Sequence, residues 1–315
     1  MVTSGGDAPG MNAAIRAIVR LAIPKGFKVL GFMRGYEGLI TNLVKPLDLR
    51  SVSGIINLGG TILHTVRSPE FREVEGMKRA AENLSKNDVE GLIVIGGEGS
   101  FRGALELSKI CDIPIVGIPA TIDNDVFGTD ETIGFDTAVN TALRAIDNIR
   151  DTAVSHERIF LVEVMGKTRG FLALYVGLNA GAEIILVPEA QVNLDEICDK
   201  LEEGRKRGKK SSIIVAAEGV GNTSEITEKI NSYTGYDARL SVLGYIQRGG
   251  NPTARSRLLA SLFGAKAVEL LQEEEGNKIV GLQGGKIVSE DLERSCKSVK
   301  PLDMRLLQLA QELAV

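Results

Sequence analysis

Tryptophan is absent from the 315 residues, and aromatic side chains make up only 4% of them. Histidine occurs twice, as His64 and His156, which argues against histidine metal sites and Ser-His-Asp chemistry. Cys111, Cys198 and Cys296 are few, odd in number and far apart. They fit neither a disulfide framework nor a zinc site, so a reducing cytosol is expected. No window approaches about 18 consecutive apolar residues, which excludes a helical membrane span. Gly5, Gly6 and Asp7 stand where a signal peptide needs an apolar core. Neither sign of charge dominates: 37 basic and 41 acidic residues leave a formal charge of −4. Nothing global therefore draws the chain to nucleic acid or to a membrane surface. There is no low-complexity segment, no fixed-period repeat and no flexible Gly/Ser linker. What is plentiful is glycine, 36 residues, which suits many tight strand-to-helix turns. A 43% hydrophobic composition is ordinary for a globular chain, and the length suggests roughly two domains.

The apolar run Ile113 to Ile118 reads as a buried parallel strand. It leads into Pro119-Ala-Thr-Ile-Asp-Asn-Asp125, which brings a hydroxyl, two carboxylates and an amide to a strand end. If the backbone stays extended there, Asp123 and Asp125 point the same way. Two close carboxylates repel, so a cation, a proton or a metal is expected between them. A solvated turn with an Asx cap is the plainer alternative.

Other strand ends repeat the pattern. Leu92 to Ile95 runs into Gly96-Gly97-Glu98-Gly99-Ser100 and a helix expected over Phe101–Lys109. Strand, glycine turn and helix N-terminus make a phosphate cradle. Neither the G-x-G-x-x-G spacing nor a Gly-Lys-Ser/Thr sequence is present, so this is no dinucleotide or Walker loop. Near the start, Gly5 and Gly6 let backbone approach a ligand, and Pro9 and Asn12 flank a helix start. Arg16 and Arg20 share one helix face, as a solvated surface or an anion site would require. Arg67 and Arg72 project from a loop. Asp136 is expected to cap a helix, and Ile159 to Val164 is a strand ending in Met165-Gly-Lys-Thr-Arg-Gly170. Ile184–Val187 and Ile213–Ala217 are further strands. The basic run Arg205 to Lys210 between them suits a solvated loop or a second anion site. Leu240 to Ile246 is read as a strand, Ala254 to Leu271 as a helix, Lys278 to Leu282 as the last strand and Arg305 to Leu313 as a closing helix.

Strands thus alternate with helices, which implies parallel sheets with right-handed crossovers and ligands at the carboxyl ends of strands. A cleft between residues near 1–134 and near 135–246 is expected.

Taken as an ordered set, Thr3–Asn12, Gly96–Ser100, Pro119–Asp125, Ser155-His-Glu-Arg158, Val164-Met-Gly166 and Gly244-Tyr-Ile-Gln-Arg-Gly-Gly250 resemble the bacterial-type ATP-dependent 6-phosphofructokinase family over nearly the whole chain. The resemblance implies two Rossmann-like, mainly parallel, three-layer α/β/α domains. A larger ATP-binding domain would take residues 1–134 and 247–297, and a smaller fructose 6-phosphate domain residues 135–246 and 298–315. It implies transfer of the γ-phosphoryl of ATP to the 1-hydroxyl of fructose 6-phosphate, with Mg2+. Asp123 would accept the hydroxyl proton beside Thr121, and Gly6 and Arg67 would stabilise the moving group. Tyr36, Arg72, Gly97, Glu98, Gly99, Ser100 and Gly103 would line the ATP side, with Glu98 and Asp125 at the metal. Met165, Gly166, Lys167, Glu218, Tyr245 and Arg248 would hold the sugar phosphate with Thr121, Asp123 and Asp125. Arg158 and Arg239 would reach it from a neighbouring subunit of a homotetramer. Arg16, Arg20, Ser53, Arg150, Gly181, Glu183, Arg207, Lys209 and Lys210 would form an effector site for ADP or phosphoenolpyruvate. No nucleic-acid or membrane partner is implied, and the location would be cytoplasmic.

The chain departs from the family pattern in places. Glu98 replaces the usual Asp, and Lys167 a usual Arg, losing the bidentate fork; Arg169 stands two residues on as a substitute. Tyr245 replaces histidine, while Gly54 and Leu49 replace a charged pair at the effector site. Pyrophosphate-using relatives carry Asp at the position of Gly99 and Lys at that of Ala120; the small residues here favour ATP. A pyrophosphate-dependent enzyme and a weakly catalytic regulatory paralogue are the alternatives.

Overall fold

A computed structural model describes residues 1–314. The chain forms two compact units: residues 1–137 with 248–300, and residues 138–247 with the segment from Pro301 onward. In chain order the first unit supplies β1 (Val2–Thr3), α1 (Met11–Ala22), β2 (Val29–Phe32), α2 (Tyr36–Ile40), β3 (Val44–Leu47), α3 (Val74–Lys86), β4 (Leu92–Gly96), α4 (Glu98–Ser108), β5 (Ile115–Thr121) and β6 (Ile133–Gly134). Helix α5 (Phe135–His156) leads into the second unit. That unit holds β7 (Ile159–Val164), α6 (Phe171–Ala180), β8 (Ile184–Leu186), α7 (Leu194–Lys206), β9 (Ser212–Ala217), α8 (Thr223–Thr234) and β10 (Ala238–Val242). The chain then returns to the first unit with α9 (Ala254–Gln272), β11 (Lys278–Gln283), β12 (Lys286–Asp291) and α10 (Leu292–Lys297), and ends in the second with α11 (Met304–Leu313).

The first unit is a sheet in the order β12-β11-β5-β4-β1-β2-β3, with β6 beside β5. It is parallel except for the β2–β3 and β11–β12 pairs. Its inner strands β4 and β5 are buried along their whole length, which is why they read as unbroken apolar runs. Helices α1 and α9 pack on each other, as do α4 and α10. The second unit is an all-parallel sheet, β10-β7-β9-β8, around an aliphatic core that includes Leu161, Ile214 and Ile230. The expectation of two mainly parallel α/β units holds. All three cysteines are free. No described helix is long and apolar enough to cross a membrane.

Several local expectations are corrected. Asn124 has φ 52°, in the left-handed region, so Asp123-Asn124-Asp125 is a tight turn and not an extended pair of carboxylates. Helix α4 begins at Glu98, three residues early, because extended Gly97 hands the chain directly from β4 into the helix. Asp136 lies inside the first turn of α5, where its carboxylate accepts the Thr253 hydroxyl instead of capping. Strand β10 stops at Val242, and Gly244 with φ 53° opens a 3-10 turn through Arg248, so Tyr245 and Ile246 are not in a strand. Lys278–Gln283 is not the last strand: β12 follows it through a two-glycine turn, Gly284 and Gly285, both with positive φ.

Candidate active site

In the first unit, three carboxyl-terminal strand ends lie side by side: β1 next to β4, and β4 next to β5. Their exit loops carry Gly6, the Gly97–Ser100 turn and Thr121–Asp125. A Cβ on Gly97 would stand 3.4 Å from Thr121 Cβ, and one on Gly5 would stand 3.1 Å from Ser100 Oγ. The glycines therefore let the three loops close up. Glu98, Gly99 and Ser100 form the first turn of α4, whose N–H groups and dipole favour an anion there. A Cβ on Gly99 would meet nothing within 4 Å. Tyr36 is buried, with its ring stacked on Phe71 at a centroid distance of 3.9 Å. Its hydroxyl donates to the Ser100 carbonyl, its ring packs where Gly103 lacks a side chain, and burial pushes its pKa up. Tyr36 thus props the start of α4 from below.

Asp123 is 4% exposed and accepts from Thr121 Oγ1 at 3.2 Å. Asn124 braces the turn. Its amide donates to the Asp130 carbonyl at 3.1 Å and accepts from the Thr132 N–H at 3.0 Å. Thr132 Oγ1 in turn donates to the Thr121 carbonyl at 2.6 Å. Asp125 follows with its Oδ1 buried. The loop carrying exposed Arg67 is tied to β1 by Thr65 Oγ1, which donates to the Gly5 carbonyl at 2.8 Å. Buried Asn12 anchors the same loop further back through Leu58, Gly59 and Ile62. Exposed Arg72 ends a 3-10 turn, Glu70–Arg72, whose Phe71 is buried. Arg248 packs its guanidinium on Gly6 and pairs with Asp7 at 3.2 Å, so a residue assigned to the sugar phosphate meets one assigned to phosphoryl transfer.

The second unit gathers another set. Glu218, at the end of β9, accepts from the N–H groups of Gly166 and Lys167 through Oε1, at 3.1 and 2.6 Å. This shapes the Met165–Lys167 loop at the end of β7, where Gly166 has φ 135° and Lys167 φ 52°. Arg169, two residues on, lies 3.8 Å from Glu189, which also accepts from the Gly170 N–H. Arg158 and Arg239 are bridged by one carboxylate, Asp237, at 2.6 and 2.7 Å. Burial pushes that carboxyl up, but hydrogen bonds from Arg239 and Arg158 outweigh it and hold Asp237 below the usual carboxylate range. Tyr245 is 78% exposed.

The residues assigned to an effector separate into groups. Arg150 donates to the Ala180 and Gly181 carbonyls, and Lys209 pairs with Glu183 at 2.9 Å. Arg207 pairs with Glu203 and Lys210 with Glu157, away from Glu183. Arg16, Arg20 and Ser53 belong to the first unit, where Arg20 reaches the Leu49 carbonyl at 3.5 Å.

For a magnesium ion, the hard oxygen donors are Asp125 and Glu98. Among the described residues no group of three or more His, Cys, Asp or Glu could hold a metal by itself. Two carboxylates at neighbouring strand ends fit magnesium, which takes one or two of them and completes its shell with phosphate oxygens and water. Glu98 is ion-paired to Arg102, one helical turn on.

Three residues here had not been singled out: Arg102, Asp237 and Lys300. Spacing pointed to the first two, four residues after Glu98 and two before Arg239. Nothing local pointed to Lys300, whose ammonium donates to the carbonyl of Asp130 at 2.9 Å.

The phosphofructokinase family model matches residues 1–271. The ATP-dependent 6-phosphofructokinase of Bacillus pumilus is 52% identical over 315 residues, covering all of this chain and 98% of the relative. Phosphofructokinase from Saccharomyces cerevisiae superposes with a TM-score of 0.90 at 35% identity; the match covers 100% of this chain and 47% of the yeast chain. A pyrophosphate-dependent phosphofructokinase from Marinobacter aquaeolei superposes at 0.85 with 22% identity over 96% of this chain and 84% of that one, a likeness of fold alone.

Proposed function

The chain belongs to the phosphofructokinase family, and from that premise we propose that it transfers the γ-phosphoryl of MgATP to the 1-hydroxyl of fructose 6-phosphate, a step of glycolysis that works in the cytoplasm. The observation that carries the reading is Asp123. It is a buried carboxylate at the end of β5, held by Thr121, beside a glycine turn that opens helix α4.

Phosphoryl transfer asks mostly for positioning and charge neutralisation. Asp123 accepts the proton of the attacking hydroxyl as its oxygen bonds to phosphorus. The Gly6 N–H and the Arg67 guanidinium face the moving group and favour its transition-state charge. The first turn of α4, with Gly97, Glu98, Gly99 and Ser100, receives the nucleotide phosphates, and Tyr36, Arg72 and Gly103 support that side. Glu98 and Asp125 hold magnesium, which when bound supplies positive charge to the phosphates. Met165, Gly166, Lys167, Glu218, Tyr245 and Arg248 orient the sugar phosphate. The larger unit thus serves the nucleotide, and most of the residues assigned to the sugar phosphate belong to the smaller one. Arg158 and Arg239, presented as a pair by Asp237, serve the site of a neighbouring copy in a homotetramer. Arg150, Glu183 and Lys209 in the second unit, and Arg16, Arg20 and Ser53 in the first, each offer groups suited to a phosphorylated effector such as ADP or phosphoenolpyruvate.

ATP is the donor because position 99 opens onto empty space that glycine leaves clear for a nucleotide. The test is the initial rate with fructose 6-phosphate and magnesium, with ATP against pyrophosphate. ATP-only turnover supports the reading. Pyrophosphate-only turnover overturns the donor, and binding of both ligands without turnover overturns catalysis.

A further inference from the structure

The Asp123-Asn124-Asp125 turn is held from a distance by a cation that lies far from it in sequence. The Asp130 carbonyl is the node. It accepts from Asn124 Nδ2 at 3.1 Å and from Lys300 Nζ at 2.9 Å. The segment between turn and node is itself pinned by β11, by the β11–β12 turn and by α10. Asp130 N–H donates to the Leu282 carbonyl at 2.7 Å, and Gly284 N–H to the Asp130 carboxylate at 2.8 Å. Leu282 N–H reaches Thr129 Oγ1 at 3.0 Å, and Ser295 Oγ reaches the Phe127 carbonyl at 2.7 Å. Every one of these contacts except that of Lys300 is between uncharged groups or involves an acceptor carboxylate. Lys300 brings positive charge to the node itself, while Arg255 pairs with Glu131 at 2.8 Å and Arg294 lies over the Phe127 ring at 5.8 Å from its centroid.

The charge on Lys300 has a use. Asp123, Asp125, Asp130 and Glu131 lie within nine residues, and the Asp125 carboxylate has a buried oxygen. A charged donor makes a stronger hydrogen bond to a carbonyl than a neutral one does. Lys300 is half-buried. Burial draws its ammonium down to about 8, while Asp130, Asp125 and Glu131 act in the opposite direction.

We propose that Lys300 is a positioning residue of the reaction: with a charge-assisted hydrogen bond it clamps the Asp130 carbonyl shared with Asn124, and so fixes the Asp123-Asn124-Asp125 turn. The role it would have in turnover rests on the phosphofructokinase reading; its hold on the turn does not. A lysine here acts through the Asp130 carbonyl and Asn124 and touches no reacting atom.

The experiment compares Lys300→Met, Lys300→Arg and Lys300→Gln in the full chain. Amide hydrogen exchange over residues 121–131, measured without ligands, reads the clamp directly. In Lys300→Met that exchange should quicken about tenfold while the rest of the first unit exchanges at the wild-type rate. With ATP and fructose 6-phosphate, kcat should fall about tenfold with the KM for the sugar phosphate changed less than about threefold. Lys300→Arg, which keeps donor and charge, should recover both readouts, and Lys300→Gln, which keeps only a donor, should recover neither. Unchanged exchange in Lys300→Met overturns the proposal, as does Lys300→Gln matching Lys300→Arg. If the methionine variant does not fold, the arginine–glutamine comparison decides by the same criterion. A wild-type protein without turnover would sink the phosphofructokinase reading and leave the exchange result standing.

Discussion

The guanidinium of Arg248 fills the space above Gly6 in which any other residue would carry its Cβ. The two positions are 242 residues apart in sequence and come from different ends of the first unit. One opens the loop after β1, and the other ends the turn that brings the chain back into the unit.

Gly6→Ala is therefore expected to expel Arg248 from that position and to break its pairing with Asp7. The Gly6 N–H is kept, so the main effect should be a rise of about tenfold or more in the KM for fructose 6-phosphate, the size expected for a lost hydrogen bond from a charged group. Steady-state kinetics with a thermal melt separates this from unfolding. A variant with normal KM would show that Arg248 has no part in sugar-phosphate binding.

Asp123→Ser removes the carboxylate and leaves a small polar group beside Thr121. Turnover should drop by about 10²–10⁴, the usual span for a lost general base. Equilibrium binding of fructose 6-phosphate should stay within a few-fold, because most residues assigned to it lie elsewhere. Unchanged turnover would remove Asp123 from the role of base.

Asp237 holds Arg158 and Arg239 together, so Asp237→Asn should loosen both. The KM for fructose 6-phosphate should rise several-fold, with kcat changed less than about threefold, the signature of lost binding that is uniform between ground and transition states. The folded-state pKa of Asp237 is depressed. Its contribution to stability is thus present above the ordinary carboxylate pKa near ~3.9, and is lost as pH falls through the lower folded value. Urea midpoints of wild type and variant should differ at neutral pH and converge in acid. Parallel curves at all pH values would refute the linkage.

Gly99→Asp tests the donor. No atom lies within 4 Å of the Cβ it would introduce, so the thermal midpoint should hold. An added negative charge over the first turn of α4 should oppose nucleotide phosphates there. A loss of about a hundredfold in kcat/KM for ATP is expected, near 2.7 kcal/mol at 1.36 kcal/mol per decade. Wild-type use of ATP by this variant would mean that position 99 does not face the nucleotide.

The strands that carry the site were readable because each is a buried apolar run ending in glycine and charge: Leu92–Ile95, Ile159–Val164 and Ile213–Ala217 lie within a residue of their observed bounds. The edge strands were harder. β12 reads Lys-Ile-Val-Ser-Glu-Asp with half its residues exposed, a polar pattern that local inspection does not distinguish from a loop. The geometry at Asp125 failed for another reason. Alternation of side chains presumes an extended backbone, and the left-handed Asn124 is stabilised by Asp130 and Thr132, six and eight residues on, which no two-residue rule takes into account. Lys300 had no signal because the meaning of its charge depends on a carbonyl 170 positions away.

Strand β5 is an interior strand only because β11 lies against it, pairing Lys278 with Val116 and Ile279 with Gly117. On a ribosome the two are made far apart in time. Roughly 150 residues separate them, which at about 5–20 residues per second is on the order of ten to thirty seconds. Throughout that interval most of β5 is an apolar edge open to pairing with another nascent chain, since β6 covers only Ala120 and Thr121. Residues 138–247 of the second unit are made within the same interval, and α11 follows β11. The segment bearing the reactive carboxylates is thus expected to be among the last parts of the molecule to become protected. Pulse proteolysis of stalled nascent chains would detect this as resistance near residue 121 appearing only after residue 283 has emerged.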